Sequence, residues 1–118
     1  MSKVAIVVLA DTDTHEGLGR VVNAMEAVKE FKDAHDDVQL IFDGAGPKWI
    51  VELEKPDHRV HSLYAAVKDR ISGACEFCAG AFGAKDNVVA CGVKLAGEHD
   101  GHPSFRKLVT QGYQIITF

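Results

Sequence analysis

The sequence contains no long hydrophobic run and no excess of basic residues. Its longest apolar segments, such as residues 4–10, have the length of a strand, whereas a membrane-spanning helix needs roughly 20 apolar residues. The 13 basic and 17 acidic residues give a formal net charge of −4 when histidine is neutral. Because phosphate binding requires a basic face, nucleic acid is not expected as a partner, and no membrane association is expected either.

Cysteine is scarce, and its three copies are an odd number, so one disulfide would leave a thiol unpaired. This count fits a reducing compartment, in which cysteines are buried, reactive or bound to a metal. Residues 1–3 run directly into an apolar segment, which leaves no room for a signal peptide. We therefore expect a cytoplasmic protein.

Several motifs of well-known sites are also absent. No G-K-[ST] sequence occurs, which excludes a P-loop, and neither H-E-x-x-H nor a serine nucleophile elbow is present. The glycine-rich segment 43–48 does not match G-x-G-x-x-G, because Trp49 occupies the third glycine position. Gly44 and Gly46 are instead expected to form a tight turn or to let another group approach the sheet edge. The sequence predicts no bound cofactor.

Apolar segments alternate with helical patterns along the whole chain. This alternation predicts a single α/β domain over residues 1–118, with a mostly parallel sheet and helices on both of its faces. The predicted strands cover residues 4–10, 38–42, 71–75, 88–95 and 113–118. Helical patterns are predicted at residues 18–31, 47–53, 60–70, 76–82 and 103–109.

The first helix has one apolar stripe from Leu18 to Phe31, and Asp13 followed by Glu16 has the spacing of a capping box. Aromatic residues are enriched at protein interfaces. Trp49, Phe77 and Phe82 are therefore the side chains expected at an interface if the protein forms oligomers.

In open α/β sheets, sites lie beyond the carboxyl ends of the strands. Segments 11–14, 43–46 and 75–78 are therefore candidates. Cys75 stands at the end of a short strand and before a helix, where a thiol loses its proton more easily and becomes a nucleophile. The alternative is that Cys75 is a small core residue, since free cysteine is among the most buried residue types.

Two other interpretations of the cysteines stay open. Cys75 and Cys78 have C-x-x-C spacing, which is compatible with a dithiol that forms a disulfide. The second interpretation is a zinc site. The cysteine spacing matches no common zinc finger or ribbon, and Cys91 lies in a predicted strand, so no metal is expected. The residues considered as zinc ligands are Cys75, Cys78, Cys91, His99 and His102.

The first loop, residues 11–14, has the position of a phosphate-binding loop in flavodoxin-like folds. The hydroxyl of Thr12 is a suitable hydrogen-bond partner for a phosphate, but Asp11 and Asp13 would repel it. We favour a capped helix start in a solvated loop. His15 is placed to face a site from this loop, although a histidine in a polar segment is more often a surface residue.

The order and spacing of three segments resemble the DsrE/DsrF-like family, which includes TusD-like sulfur-relay proteins and YchN-like proteins. An apolar first strand and a long helix precede the second strand and its loop, "LIFDGAG". A strand that ends in cysteine follows in "ISGACEFCAGAFGAKDNV", with Gly83 eight residues after Cys75. The chain closes with "FRKLVTQGYQIITF", a helix, a glycine and a final strand.

The resemblance implies a flavodoxin-like three-layer sandwich with a mostly parallel five-stranded sheet. It also implies a homo-oligomer, commonly a trimer or hexamer, and other sulfur-relay proteins as partners. Cys75 matches the cysteine that accepts a persulfide sulfur, which makes the protein a candidate sulfur carrier or sulfurtransferase. Cys78 is an addition to the usual family pattern. It would either form a disulfide with Cys75 or serve only as a packed side chain. The alternative function is a non-enzymatic oligomeric module that binds a ligand near Asp11, Thr12, His15, Gly44 and Gly46.

Overall fold

A computed structural model describes residues 1–118 and contains one five-stranded sheet in the order β4-β3-β2-β1-β5. Every neighbouring pair of strands is parallel, which confirms the predicted flavodoxin-like α/β architecture. The strands are β1 (Lys3–Val8), β2 (Asp37–Phe42), β3 (Ile71–Cys75), β4 (Leu95–Ala96) and β5 (Gln114–Thr117).

Six α-helices connect these strands, and none of them has the length and apolar character needed to cross a membrane. Right-handed crossovers place α1 to α5 on one face, because β1 to β4 step in one direction across the sheet. The chain then returns to β5 on the other side of β1, which puts α6 on the opposite face. The helices are α1 (His15–Asp33), α2 (Lys48–Glu54), α3 (His61–Val67, followed by the 3₁₀ turn Lys68–Arg70), α4 (Glu76–Ala81), α5 (Lys85–Ala90) and α6 (Phe105–Thr110).

The two faces of the sheet are covered very unequally. Alternate residues of β1 point to opposite faces, so Ile6 packs with the main core of 20 buried residues beneath α1 to α5. On the other face, Val7 joins a cluster of only 4 buried residues. Leu108 is the member of that small cluster that comes from α6, so α6 is fastened to the sheet through very few buried contacts.

The strand predicted at residues 88–95 is wrong. Residues 85–90 form α5, Gly92 follows the helix with a φ of +77°, and only Leu95 and Ala96 belong to β4. Val88 is buried whereas Val89 is exposed, as expected on a surface helix. A short run of alanine and valine fits a strand and a helix about equally well, which explains the error.

Two smaller predictions also need correction. Thr14 rather than Asp13 caps α1, since its Oγ1 accepts the Gly17 N–H at 2.9 Å. Trp49 is only 3% exposed, and its indole N–H donates to the Ala10 carbonyl at 2.9 Å, so it is not available at an interface. Phe77 and Phe82, in contrast, are exposed as predicted.

The loop after β2 turns tightly beneath the end of β1, and Gly46 lies at their closest approach. A Cβ atom on this residue would lie 2.3 Å from the Val8 carbonyl oxygen and 2.8 Å from that of Asp43. Both neighbours are backbone atoms, which cannot move aside as a flexible side chain does. Gly46 is therefore required by space, as the sequence pattern suggested for this loop.

Gly46→Ala is expected to lower the free energy of unfolding by about 1–3 kcal/mol, the usual cost of forcing an atom into a packed site. Gly19→Ala is the matched control, because Gly19 is exposed within α1 and a methyl group there would have open space around it. The control is expected to gain about 0.5–1 kcal/mol from helix propensity. Urea unfolding of both variants measures the difference, and equal stabilities would contradict the close approach.

Candidate functional site

Four side chains that carry nucleophilic or metal-binding atoms meet at the carboxyl edge of the sheet. Asp43 follows β2, Cys75 ends β3, Cys78 lies in the first turn of α4, and His102 lies between β4 and α6. Their ligand-capable atoms all lie within 4.8 Å of one another. We call Asp43, Cys75, Cys78 and His102 the Cys75 cluster.

A short hairpin brings His102 to the end of β3. Cys75 pairs with Ala96 in the sheet, so the chain that leaves β4 starts beside Cys75. His99 and His102 then exchange backbone hydrogen bonds of 2.9 and 2.8 Å. Asp100 and Gly101 form the turn between them with φ of +51° and +86°, and positive φ at both central residues is typical of an Asp-Gly hairpin turn.

The hairpin is also fastened to α4. The Phe77 N–H donates to the Gly101 carbonyl at 2.8 Å, and the Phe77 ring packs against the His102 imidazole with centroids 4.9 Å apart. These contacts fix the imidazole over Cys75 from one side. His102 is therefore held in place by its neighbours in the hairpin and in α4.

Within the cluster, the contacts join the side chains in pairs. Cys75 Sγ lies 3.3 Å from His102 Nδ1, and the Cys78 thiol donates to Asp43 Oδ1 at 3.4 Å. The Cys78 backbone N–H donates to Cys75 Sγ at 3.4 Å, which links the two cysteines. Asp43 Oδ1 also accepts the Gly44 N–H at 2.8 Å, and this bond orients the carboxylate.

The lowered pKa expected for Cys75 is not found. Burial is the largest influence and raises the pKa of this thiol to about 12, while the N–H of Cys78 acts in the opposite direction. Cys75 is fully buried, and α4 has only six residues, so a short helix does not offset the loss of solvation. The resting thiol is therefore protonated and needs a base before it can act as a nucleophile.

The other predicted site residues lie in different surroundings. Gly44, with a φ of +56°, shapes the loop that presents Asp43 to the cysteines. Asp11 pairs with Lys48 at 2.7 Å, and the hydrogen bond from Lys48 lowers its pKa. Thr12 and His15 line a separate shallow pocket. The first loop is therefore not part of the Cys75 cluster.

Two residues considered as zinc ligands, Cys91 and His99, lie outside the cluster. Two members of the cluster were not anticipated in their present role: Asp43, and His102 as the partner of Cys75. The Asp100-Gly101 pair is a strong local signal for a hairpin and was the available clue to the position of His102.

An open cavity of about 810 Å³ adjoins the cluster. Asp43 and His102 lie on its wall next to the cysteines, and α6 forms the opposite wall with Arg106 and Lys107. A small molecule in this cavity would therefore be next to His102 and close to two cationic side chains.

Native alkylation with iodoacetamide is expected to label Cys78 and Cys91 at least about tenfold faster than Cys75, since the Cys75 thiol is buried and its raised pKa leaves little reactive thiolate. Cys78 and Cys91 are partly exposed, whereas Cys75 is buried. Peptide mass spectrometry of samples quenched over time gives the three rates. Denatured protein, in which the rates should converge, is the control, and faster labelling of Cys75 in the folded protein would contradict its burial.

No protein-family model matches the chain. The uncharacterized protein MJ0733 of Methanocaldococcus jannaschii is 33% identical over 87 residues, which span 74% of this chain and 70% of that protein. The chain belongs to the MJ0733 family. A conserved protein of unknown function from Bacteroides thetaiotaomicron, BT1422, aligns with a TM-score of 0.64 and 16% identity over 97% of this chain and 94% of its own. BT1422 thus shares the fold of this member of the MJ0733 family.

Proposed function

We propose that this protein is a DsrE/DsrF-like sulfur carrier that stores a sulfane sulfur as a persulfide on Cys75. The main support is the distance of 3.3 Å between Cys75 Sγ and His102 Nδ1. A thiol within hydrogen-bond reach of an imidazole is the arrangement of an activated cysteine nucleophile. Cys75 also ends β3, where the family resemblance implies the persulfide cysteine.

His102 supplies the base that a buried thiol needs. A neutral imidazole with its proton on Nε2 accepts the Cys75 proton at Nδ1, which yields a thiolate beside an imidazolium. The positive charge that His102 acquires lies next to the thiolate, and its attraction offsets part of the cost of forming a charged sulfur in a buried position. His102 would thus create the nucleophile at the moment of transfer.

Cys78 is the thiol that meets the donor first, because it is partly exposed and Cys75 is not. Its sulfur attacks the terminal sulfur of a donor persulfide R–S–SH, the donor S–S bond breaks, and the leaving thiolate RS⁻ takes up the proton that Cys78 gives up. The product is a persulfide on Cys78. No oxidant is needed, since the sulfane sulfur moves with its oxidation state unchanged.

The second step moves the sulfur inward. Cys75 passes its proton to His102 and attacks the terminal sulfur of the Cys78 persulfide, so that the S–S bond to Cys78 breaks. The Cys78 thiolate then takes the proton from His102, which restores the neutral imidazole. The sulfur now lies on the buried cysteine, where it is protected from thiols in solution until a partner protein takes it up.

Sulfur retention by cysteine variants tests this function. Metal-free protein is loaded with glutathione persulfide, washed briefly with glutathione and denatured, and cyanide-labile sulfur is then counted. The wild type and Cys91→Ser are expected to retain about one sulfur per chain, whereas Cys75→Ser retains almost none. Equal retention by Cys75→Ser would show that Cys75 does not store sulfur.

The family resemblance also leads us to propose a homo-oligomer, a trimer or hexamer, with other sulfur-relay proteins as partners. Phe77 is 60% exposed and lies beside the Cys75 cluster, and Phe82 at the end of α4 is exposed as well. Exposed aromatic side chains of this kind are enriched at interfaces. Sedimentation equilibrium of the wild-type chain gives the oligomeric state, and a monomer at all concentrations would contradict the proposal.

The burial of Cys75 and the adjoining cavity favour a second candidate, a non-enzymatic module that binds a small ligand while Cys75 serves only in packing. This candidate predicts that persulfide treatment leaves Cys75 unmodified in the folded protein. It also predicts that Cys75→Ser lowers stability but leaves ligand binding in the cavity unchanged. Peptide mass spectrometry after persulfide treatment distinguishes it from the sulfur carrier.

A further inference from the structure

We propose that the Cys75 cluster is also a zinc site, with Asp43, Cys75, Cys78 and His102 as its four ligands. Zn²⁺ is bound in proteins by cysteine sulfur, histidine nitrogen and carboxylate oxygen, and these four side chains supply all three kinds of atom. Calcium and magnesium prefer oxygen ligands, so a donor set with two sulfurs selects against them.

The distances within the cluster are close to those of a tetrahedral zinc site. Zinc bonds of about 2.3 Å to sulfur and about 2.0–2.2 Å to nitrogen or oxygen place an S–N or S–O ligand pair about 3.5–3.7 Å apart. Cys75 Sγ and His102 Nδ1 are 3.3 Å apart, and Cys78 Sγ and Asp43 Oδ1 are 3.4 Å apart. All remaining ligand pairs lie within 4.8 Å, so an ion would widen the two close pairs slightly and draw the other ligand atoms together.

The three segments that supply the ligands are held in position by contacts that involve no metal. The Cys78 N–H bond to Cys75 Sγ fixes the relative position of the cysteines. The Phe77 N–H bond to the Gly101 carbonyl holds the hairpin of His102 against α4. A site that is assembled in advance loses less conformational entropy when the ion binds.

The ligand count assigns a role to the ion. Four protein ligands complete a tetrahedral shell, as in structural zinc sites, whereas catalytic zinc sites keep one position open for water. Asp43 and Cys75 are buried, which limits access to the ion further. Zinc at this position would therefore stabilise the carboxyl edge of the sheet.

One consequence rests on the proposed sulfur-carrier function. Zinc and a sulfane sulfur both need Cys75 Sγ, so one chain cannot hold both at the same time. Zinc would protect the two thiols when no sulfur donor is present, and its removal would make Cys75 available for loading. The binding of zinc itself does not depend on this function.

Metal titration tests the site independently of sulfur chemistry. Reduced, metal-free wild-type protein is titrated with Zn²⁺ against a chromophoric chelator, and Co²⁺ is used as a spectroscopic substitute. We expect one ion per chain, together with the absorption bands of tetrahedral Co²⁺ and of thiolate-to-cobalt charge transfer. Absence of binding to the wild type, or an octahedral Co²⁺ spectrum without thiolate bands, would overturn the proposal.

Variants assign the ligands. Cys78→Ser and His102→Asn are expected to weaken zinc binding by more than about 100-fold, since loss of an outer-shell partner alone costs about 10- to 100-fold. Cys91→Ser and His99→Asn are the matched controls, because these side chains lie outside the cluster. They should bind zinc as the wild type does, and an equal loss in the controls would also overturn the assignment. Circular dichroism verifies that each variant is folded. If zinc binds but Cys75 never acquires sulfur, the zinc site stands and the sulfur-carrier function fails.

Discussion

In metal-free protein, His102→Asn is expected to slow the loading of Cys75 with sulfur by about 100- to 10,000-fold, the contribution that a positioned general base usually makes. His102 Nδ1 lies 3.3 Å from Cys75 Sγ, and no other imidazole belongs to the cluster. Asparagine is similar in polarity and size but does not accept the thiol proton. Quenched time courses with glutathione persulfide, analysed by peptide mass spectrometry, give the rate at which Cys75 acquires sulfur.

His99→Asn is the control for this experiment. His99 belongs to the same hairpin, pairs with His102 through backbone bonds that the substitution preserves, and lines the same cavity. Its loading rate should remain within about threefold of the wild type, because a surface change of this kind is worth about 0.5 kcal/mol or less. Equal loading by the His102 and His99 variants would show that His102 is not the base.

Leu108→Ala is expected to lower the free energy of unfolding by about 2–4 kcal/mol, within the range for deletion of a buried leucine side chain. Leu108 is the residue of α6 in the small buried cluster on its face of the sheet, with Ala5, Val7 and Ile41. Its truncation therefore removes most of the packing that fastens α6. Urea unfolding followed by circular dichroism measures the change.

Val109→Ala provides the comparison on the same helix, since Val109 is 60% exposed. Its effect should stay below about 0.5 kcal/mol, as for surface substitutions in general. His102 lies just before the start of α6, so a loosened helix should also slow sulfur loading, and Leu108→Ala is expected to show both defects. Similar stabilities of the two variants would contradict the packing of α6 through Leu108.

Much of the fold follows from local patterns in the sequence. The stripe of α1 has the helical period, β1 and β2 are short continuous apolar runs of strand length, and the structure confirms these elements. The strand prediction for residues 88–95 failed because a short run of valine and alanine is compatible with both a helix and a strand. Here the bonds from the Val88 N–H to the Ala84 carbonyl and from the Cys91 N–H to the Asn87 carbonyl decide for the helix, and neither is visible in the sequence.

The site could be predicted only in part, for a related reason. Cys75 and Cys78 are neighbours along the chain and follow a recognisable strand, so their proximity is a local property. Asp43 and His102 are separated from the cysteines by 35 and 27 residues along the chain, and only the strand order brings them to one edge. The sequence also left open whether Cys75 is a reactive thiol or a buried one, because its pKa depends on burial by distant segments.

The most direct test of the sulfur-carrier proposal is the position of isotopically labelled sulfur over time in wild-type protein. The metal-free chain is mixed with a labelled persulfide donor, quenched at intervals and analysed by peptide mass spectrometry. The proposal predicts that the label appears first on Cys78 and then accumulates on Cys75, while any label on the partly exposed Cys91 is removed by a brief glutathione wash. Label that never reaches Cys75 while the protein stays folded would contradict the storage of sulfur on this residue.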